Sequence, residues 1–381
     1  MSAHSILGPS SAERWLHCPG SVAATKDIKE EPSRYAAEGT VAHRVADNCL
    51  QQGRAPGSWL GQTLVADGFE IIVTDEMVRA VETYLEYVDD LPGTKFHESR
   101  VEYRGWVAGG FGTLDFAAVD GAVCHIVDFK YGQGVQVHAT DNAQLKLYAL
   151  GFYELYGWMQ PLTHFVLHIV QPRLEFVDRW EIGLSDLQQW ASLTVRPKAL
   201  EALSDNASFA TGDWCRFCKI RATCRVRAQA VLETAIDGFT DIGEGETKVV
   251  AQLSNDEIAR ALGQVENIKR WCTDLKNYAL SARSKGESIG DWKVVSGRST
   301  RVYSLPPEQV ADRLIDRGFS TGLIYAPPVL LSPAQLEKKI DKKVVAEFVE
   351  KRPGPPTLVP GSDPRPEIVL TDSEFSDVEE S

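Results

Sequence analysis

Asp128 and Lys130 stand two apart in the run VDFKYG (127–132), which reads as a strand, so both side chains leave it on the same side. Asp115 closes the run GFGTLD just upstream, and the apolar stretch between them doubles back through an Asp120-Gly121 turn. Neighbouring strands would therefore bring two carboxylates and one amine to the same end of a sheet. Carboxylates so close repel unless a hard divalent cation lies between them, and Mg²⁺ or Mn²⁺ takes oxygen ligands of this kind. Taken alone, the pattern also describes the solvated face of a half-buried sheet.

The elements that would position these groups follow from periodicity and glycine punctuation. Residues 34–51 and 75–90 read as helices, and 97–104, 111–119 and 123–130 as strands. A helix at 141–156 follows, then strands at 163–171 and 175–182 and a helix at 184–205. The order predicts an α/β fold with one mixed central sheet flanked by helices. The first helix presents His43, with Glu38 and Thr40 nearby; the 141–156 helix presents Gln144 and Tyr148, four apart on one face. Each has a plain structural reading as a helix-cap residue, a core tyrosine or a surface histidine.

In chain order the motifs are G-T-x-x-H (39–43), G-T-L-D (112–115), D-F-K (128–130) and Q-x-x-x-Y (144–148). This ordered set resembles the RecB-like branch of the PD-(D/E)XK nuclease superfamily over roughly residues 10–230. Leu114 stands where the superfamily's proline would precede Asp115, a position without ligand chemistry. The resemblance implies a restriction-endonuclease-like core and a Mg²⁺- or Mn²⁺-dependent deoxyribonuclease. In it His43, Asp115, Asp128 and the Phe129 carbonyl hold metal, Lys130 stabilises charge or orients water, and Gln144 and Tyr148 position Lys130 and the DNA backbone. Glu38 is a weaker candidate that also suits a helix cap.

Cys215, Cys218 and Cys224 form C-x2-C-x5-C in DWCRFCKIRATC, and Cys18 stands alone in RWLHCPGS. Four thiolates suit an iron-sulfur cluster or zinc, and spacing does not separate the two. Nucleases resembling AddB and the CRISPR-associated RecB-like exonucleases carry one early cysteine and a late triplet that hold a 4Fe-4S cluster, and the resemblance implies the same here. Such a staple would close a loop of about two hundred residues. Disulfides fit poorly with an odd total of seven cysteines and no apolar leader segment. Cys49, Cys124 and Cys272 read as small core residues in apolar surroundings.

The net charge of −13 looks unsuited to a nucleic-acid partner. Its distribution is uneven: Arg216, Lys219, Arg221, Arg225 and Arg227 crowd the cysteine segment, whereas the last fifteen residues hold six acids and no base. The basic patch serves DNA binding or balances a thiolate-ligated cluster. No apolar run approaches membrane-span length, so a cytoplasmic protein is expected. The sequence divides into a nuclease-like domain with the cysteine module (1–232), a small α+β domain (233–350) and a Pro-rich linker with an acidic tail (351–381). Within the second, 254–285 reads as a long helix, 288–303 as a hairpin turning at Ser296-Gly297, and 306–317 as a helix.

The expected activity is phosphodiester hydrolysis, exonucleolytic on DNA ends or single strands, in recombination, repair or phage DNA metabolism, from a bacterial host or its phage. A recombination or replication protein is an expected partner. The alternatives are a DNA- or partner-binding protein on a retired nuclease fold, against which the intact D-x-K speaks, and a zinc-organised interaction module.

Overall fold

The computed structural model describes residues 5–28, 33–240, 255–295, 306–318 and 320–324. Among these, five strands form the main sheet in the order β3-β4-β5-β6-β7: Thr94–Glu102, Phe111–Asp120, Val123–Phe129, His164–Gln171 and Phe176–Gly183. Only β5 and β6 run parallel, because helix α5 (Ala143–Tyr156) carries the chain from the end of one to the start of the other. The β4–β5 pair closes over the two-residue turn Gly121-Ala122, where Gly121 takes φ +57°.

Helix α3 (Arg34–Gln52) starts at Ser33, whose hydroxyl accepts the Ala36 N–H, and stops at Gly53 in the left-handed region. Ala37, Val41, Ala42, Val45, Ala46 and Cys49 make its buried stripe. That stripe, with α4 (Asp75–Asp89), packs on Phe116, Val127 and Phe129 of the sheet. The other face of the sheet, carrying Ala117, Cys124 and Ile126, packs on α5 and on α1 (Ala12–His17). Asn142 caps α5 through the Leu145 N–H. The sheet is thus a mixed one sandwiched between helical layers.

Two elements differ from the sequence reading. A hairpin, β1 (Thr63–Ala66) with β2 (Phe69–Ile72), turns at Asp67-Gly68 with both φ positive, the signature of a type I′ turn, and its Asp-Gly pair was legible. The helix expected over 184–205 is broken: α6 (Leu184–Trp190) passes through a π turn at Ala191–Val195 into α7 (Arg196–Ala202). Pro197 has no N–H to offer the preceding turn, which accounts for the widened backbone there.

The chain divides into two units, Met1–Tyr278 and Ala279–Ser381. The first also contains α2 (Ser21–Thr25), α8 (Arg225–Thr240) and most of α9 (Asn255–Ser284). The second contains α10 (Pro307–Asp316) and the short α11 (Thr321–Ile324). Residues 288–295 carry no strand, and the expected turn at Ser296-Gly297, the Pro-rich linker and the acidic tail lie outside the described residues. No helix among the described residues is long and apolar enough to cross a membrane.

Candidate metal centre

Asp115 sits where two ladders open. The β4–β5 pairing stops at Phe116↔Val127, and the Phe129 N–H further along β5 donates to Asp115 Oδ2 at 2.8 Å. On the other side the β3–β4 register runs through His97↔Phe116 and Ser99↔Leu114 but skips the pair between them, Glu98 and Asp115. Glu98 has φ +42° inside a strand, which locally prises the two strands apart. The opened space lets the Asp115 carboxylate meet the helix above: His43 Nδ1 lies 3.2 Å from Asp115 Oδ1.

Asp128 and Lys130 point towards α5. Lys130 Nζ lies 2.8 Å from Asp128 Oδ2, and it donates to Gln144 Oε1 at 3.1 Å. Gln144 Nε2 in turn donates to Asp128 Oδ1 at 2.9 Å and lies 3.3 Å from the Tyr148 hydroxyl. One amide therefore holds both members of the ion pair. Asp128 is only 3 % exposed, and its Oδ2 has the amine close by but no donor aligned on it. A buried carboxylate oxygen in that state suits a cation.

The pKa values of the two aspartates are pushed apart. Burial favours the neutral form of both, but His43 and the Phe129 N–H outweigh it at Asp115, which is lowered. At Asp128 burial and the neighbouring Asp115 outweigh Lys130, and the value is raised. Burial also disfavours charge on His43 and Lys130, yet Asp115 and Asp128 respectively leave both raised.

His43, Asp115 and Glu98 bring one ligand atom each within 4.8 Å of one another. Glu98 was not singled out in the sequence, and the register that sets it opposite Asp115 is not a local signal. Burial, then Asp115 and Asp47, push its carboxyl up to about 7, although one side of it stays open to solvent. Of the weaker candidates, Glu38 pairs with Arg34 at 3.6 Å, and the Thr40 hydroxyl donates to the Ala36 carbonyl. Phe129 is buried, its ring stacked on Tyr84 at 4.6 Å. The glycine of G-T-L-D has a packing reason: a Cβ on Gly112 would lie 2.7 Å from Pro9 Cγ and 2.9 Å from Tyr148 Cε1. Gln171, 1 % exposed, anchors the loop after Lys130, donating to Gly132 O and Val135 O and accepting the Val137 N–H.

Cys18, Cys215, Cys218 and Cys224 line one cavity, closed by Trp214 and by Arg14, Arg221 and Arg227. Among the described residues no three of these sulfurs come within 4.8 Å of one another. Of the five basic residues of this segment, Arg221 and Arg227 both pair with Asp274, at 3.0 and 2.6 Å, and Lys219 donates to the Ile28 carbonyl at 3.0 Å.

A family model described as "Protein of unknown function (DUF2800)" matches residues 4–366. The chain belongs to the DUF2800 family. Among solved structures, the crystal structure of SSO0001 aligns with 57 % of this DUF2800 chain and 95 % of its own, at 12 % identity and a TM-score of 0.24. That superposition is too loose to bear on fold or activity.

Proposed function

We propose that this DUF2800 protein is a metal-dependent deoxyribonuclease built on a PD-(D/E)XK-type core. What supports the reading is a pair of constellations on adjacent strands, His43 with Asp115 and Asp128 with Lys130 and Gln144, linked where the Phe129 N–H donates to Asp115; among the described residues Asp128 does not join His43 and Asp115 within 4.8 Å. His43, Asp115, Asp128 and the Phe129 carbonyl would hold Mg²⁺ or Mn²⁺. The bound ion supplies Lewis-acid polarisation of a phosphodiester and lowers the pKa of a neighbouring water.

The chain's own groups do the rest. The Phe129 N–H fixes Asp115 Oδ2, and His43 Nδ1 lies 3.2 Å from its Oδ1, so the carboxylate is already held in place when substrate arrives. Lys130 stays charged beside Asp128 and offers its remaining protons to a phosphate oxygen, where negative charge develops. Gln144 sets the amine's direction, and Tyr148 sets Gln144. The cysteine module would hold a 4Fe-4S cluster, tying Cys18 to Cys215, Cys218 and Cys224; that all four line one cavity supports a shared four-thiolate site. Arg216 and Arg270 line a cleft of about 250 Å³ beside that module; Arg270 lies 3.8 Å from Asp213 there, so Arg216 is the cation of the two best placed to meet DNA phosphates.

The test is incubation of anaerobically purified protein with end-labelled single-stranded and duplex DNA in Mg²⁺, Mn²⁺ or EDTA. Cleavage with either ion, none in EDTA and none by Lys130→Ala is expected. Absence of metal-dependent cleavage of both substrates, or parental activity in Lys130→Ala, overturns the proposal.

A further inference from the structure

Glu98 and Asp115 face each other across an antiparallel ladder, and like charges in that arrangement destabilise a sheet. No hydrogen bond or ion pair among the described residues uses the Glu98 carboxylate, so among those residues the group placed to offset the repulsion is His43, which already serves Asp115. Glu98 also adopts a left-handed backbone conformation uncommon for a residue with a Cβ, at a position inside a strand where no turn demands it.

Tyr84 is a second, independent sign. Its ring stacks on Phe129 and it is 1 % exposed, yet its hydroxyl has no hydrogen-bond partner. The carboxylates whose charges act on that hydroxyl are Asp115, Asp128, Glu98 and Asp47. The same Phe129 ring packs against His43 at 5.1 Å, so a buried hydroxyl without a partner among the described residues lies next to the His43–Asp115 constellation and marks a polar occupant there.

We propose that Glu98 is a further divalent-cation ligand, closing with His43 and Asp115 a pocket whose polar occupant also satisfies the Tyr84 hydroxyl. This rests on the reading of His43 and Asp115 as cation ligands. Three protein groups, one nitrogen and two hard oxygens, suit Mn²⁺ and leave positions open for solvent and substrate. Asp128, engaged by Lys130 and Gln144, then contributes from the opposite side of Asp115, so that the cation site extends towards β3 as well as towards β5.

Mn²⁺ binding without DNA, followed by calorimetry and by loss of the free-ion paramagnetic resonance signal, tests this on the full chain and on Asp115→Asn and Glu98→Gln. Second-sphere changes already weaken metal sites about tenfold or more, so loss of a ligand should cost Glu98→Gln roughly tenfold in Mn²⁺ affinity at the least. Parental affinity in Glu98→Gln with weakened binding in Asp115→Asn overturns the role of Glu98 while leaving the metal site in place. Parental affinity in both variants overturns the metal site itself. Glu98→Gln is nearly isosteric, and its far-ultraviolet circular dichroism should match the parent.

Discussion

Glu98 on β3 lies opposite Asp115 on β4 at the one position where the ladder between those strands is interrupted. The two acids therefore cost stability in the metal-free protein, and removing one charge should recover it. Glu98→Gln is expected to melt higher than the parent in EDTA at pH 8, and the order should reverse in excess Mn²⁺, which stabilises only the form that binds it well. Thermal melts of both proteins with and without metal check this.

Lys130→Ala should abolish cleavage and also weaken the fold, because Asp128 is buried and Lys130 is its cationic partner. Breaking a buried pair from one side costs about 3–5 kcal/mol. The carboxyl of Asp128 is raised already, so the loss should be small in acid, where it takes a proton, and grow as pH rises. Asp128→Asn in the same chain should restore most of the stability and none of the activity, as read by urea melts at pH 5 and pH 8.

His168 is buried in a chain of hydrogen bonds, from the Tyr87 hydroxyl at 2.8 Å to His125 at 3.0 Å, and burial, then His125 and Arg179, hold its pKa down to about 3. The unfolded chain therefore takes up a proton near pH 6.5 that the folded protein refuses. This contribution is complete above pH 6.5 and is lost as pH falls towards 3, with a slope of up to about 1.4 kcal/mol per pH unit. His168→Gln should flatten the dependence between pH 4 and 6.5 in denaturant titrations.

Gly112→Ala should destabilise by about 1–3 kcal/mol, since the added methyl collides with Pro9 and Tyr148. Tyr148 supports Gln144, so single-turnover cleavage should slow as well. Melting temperature and turnover measured on the same preparation separate the two effects.

Anaerobic preparations should be brown and carry about four irons per chain. Cys218→Ser should lose both colour and iron with a lower melting temperature. A colourless parent carrying one zinc would show the cysteine module to be a zinc site.

The chemistry-bearing residues were legible because each rides on a local pattern. His43 lies beside the buried stripe of α3, Asp128 and Lys130 follow strand alternation, and Gln144 and Tyr148 follow helical spacing. The cysteine triplet was legible through its spacing, and the Asp67-Gly68 hairpin could have been read the same way.

What the sequence by itself determined was therefore the set of elements and the groups they present. Tertiary structure alone decided that Glu98 faces Asp115, that Tyr84 buries an unpartnered hydroxyl while its ring stacks on Phe129, and that Asp274 takes up Arg221 and Arg227. The physical reason is that register and helix docking are settled by contacts between distant segments. A shift of one residue between β3 and β4 would move Glu98 off Asp115 without altering the periodicity of either strand.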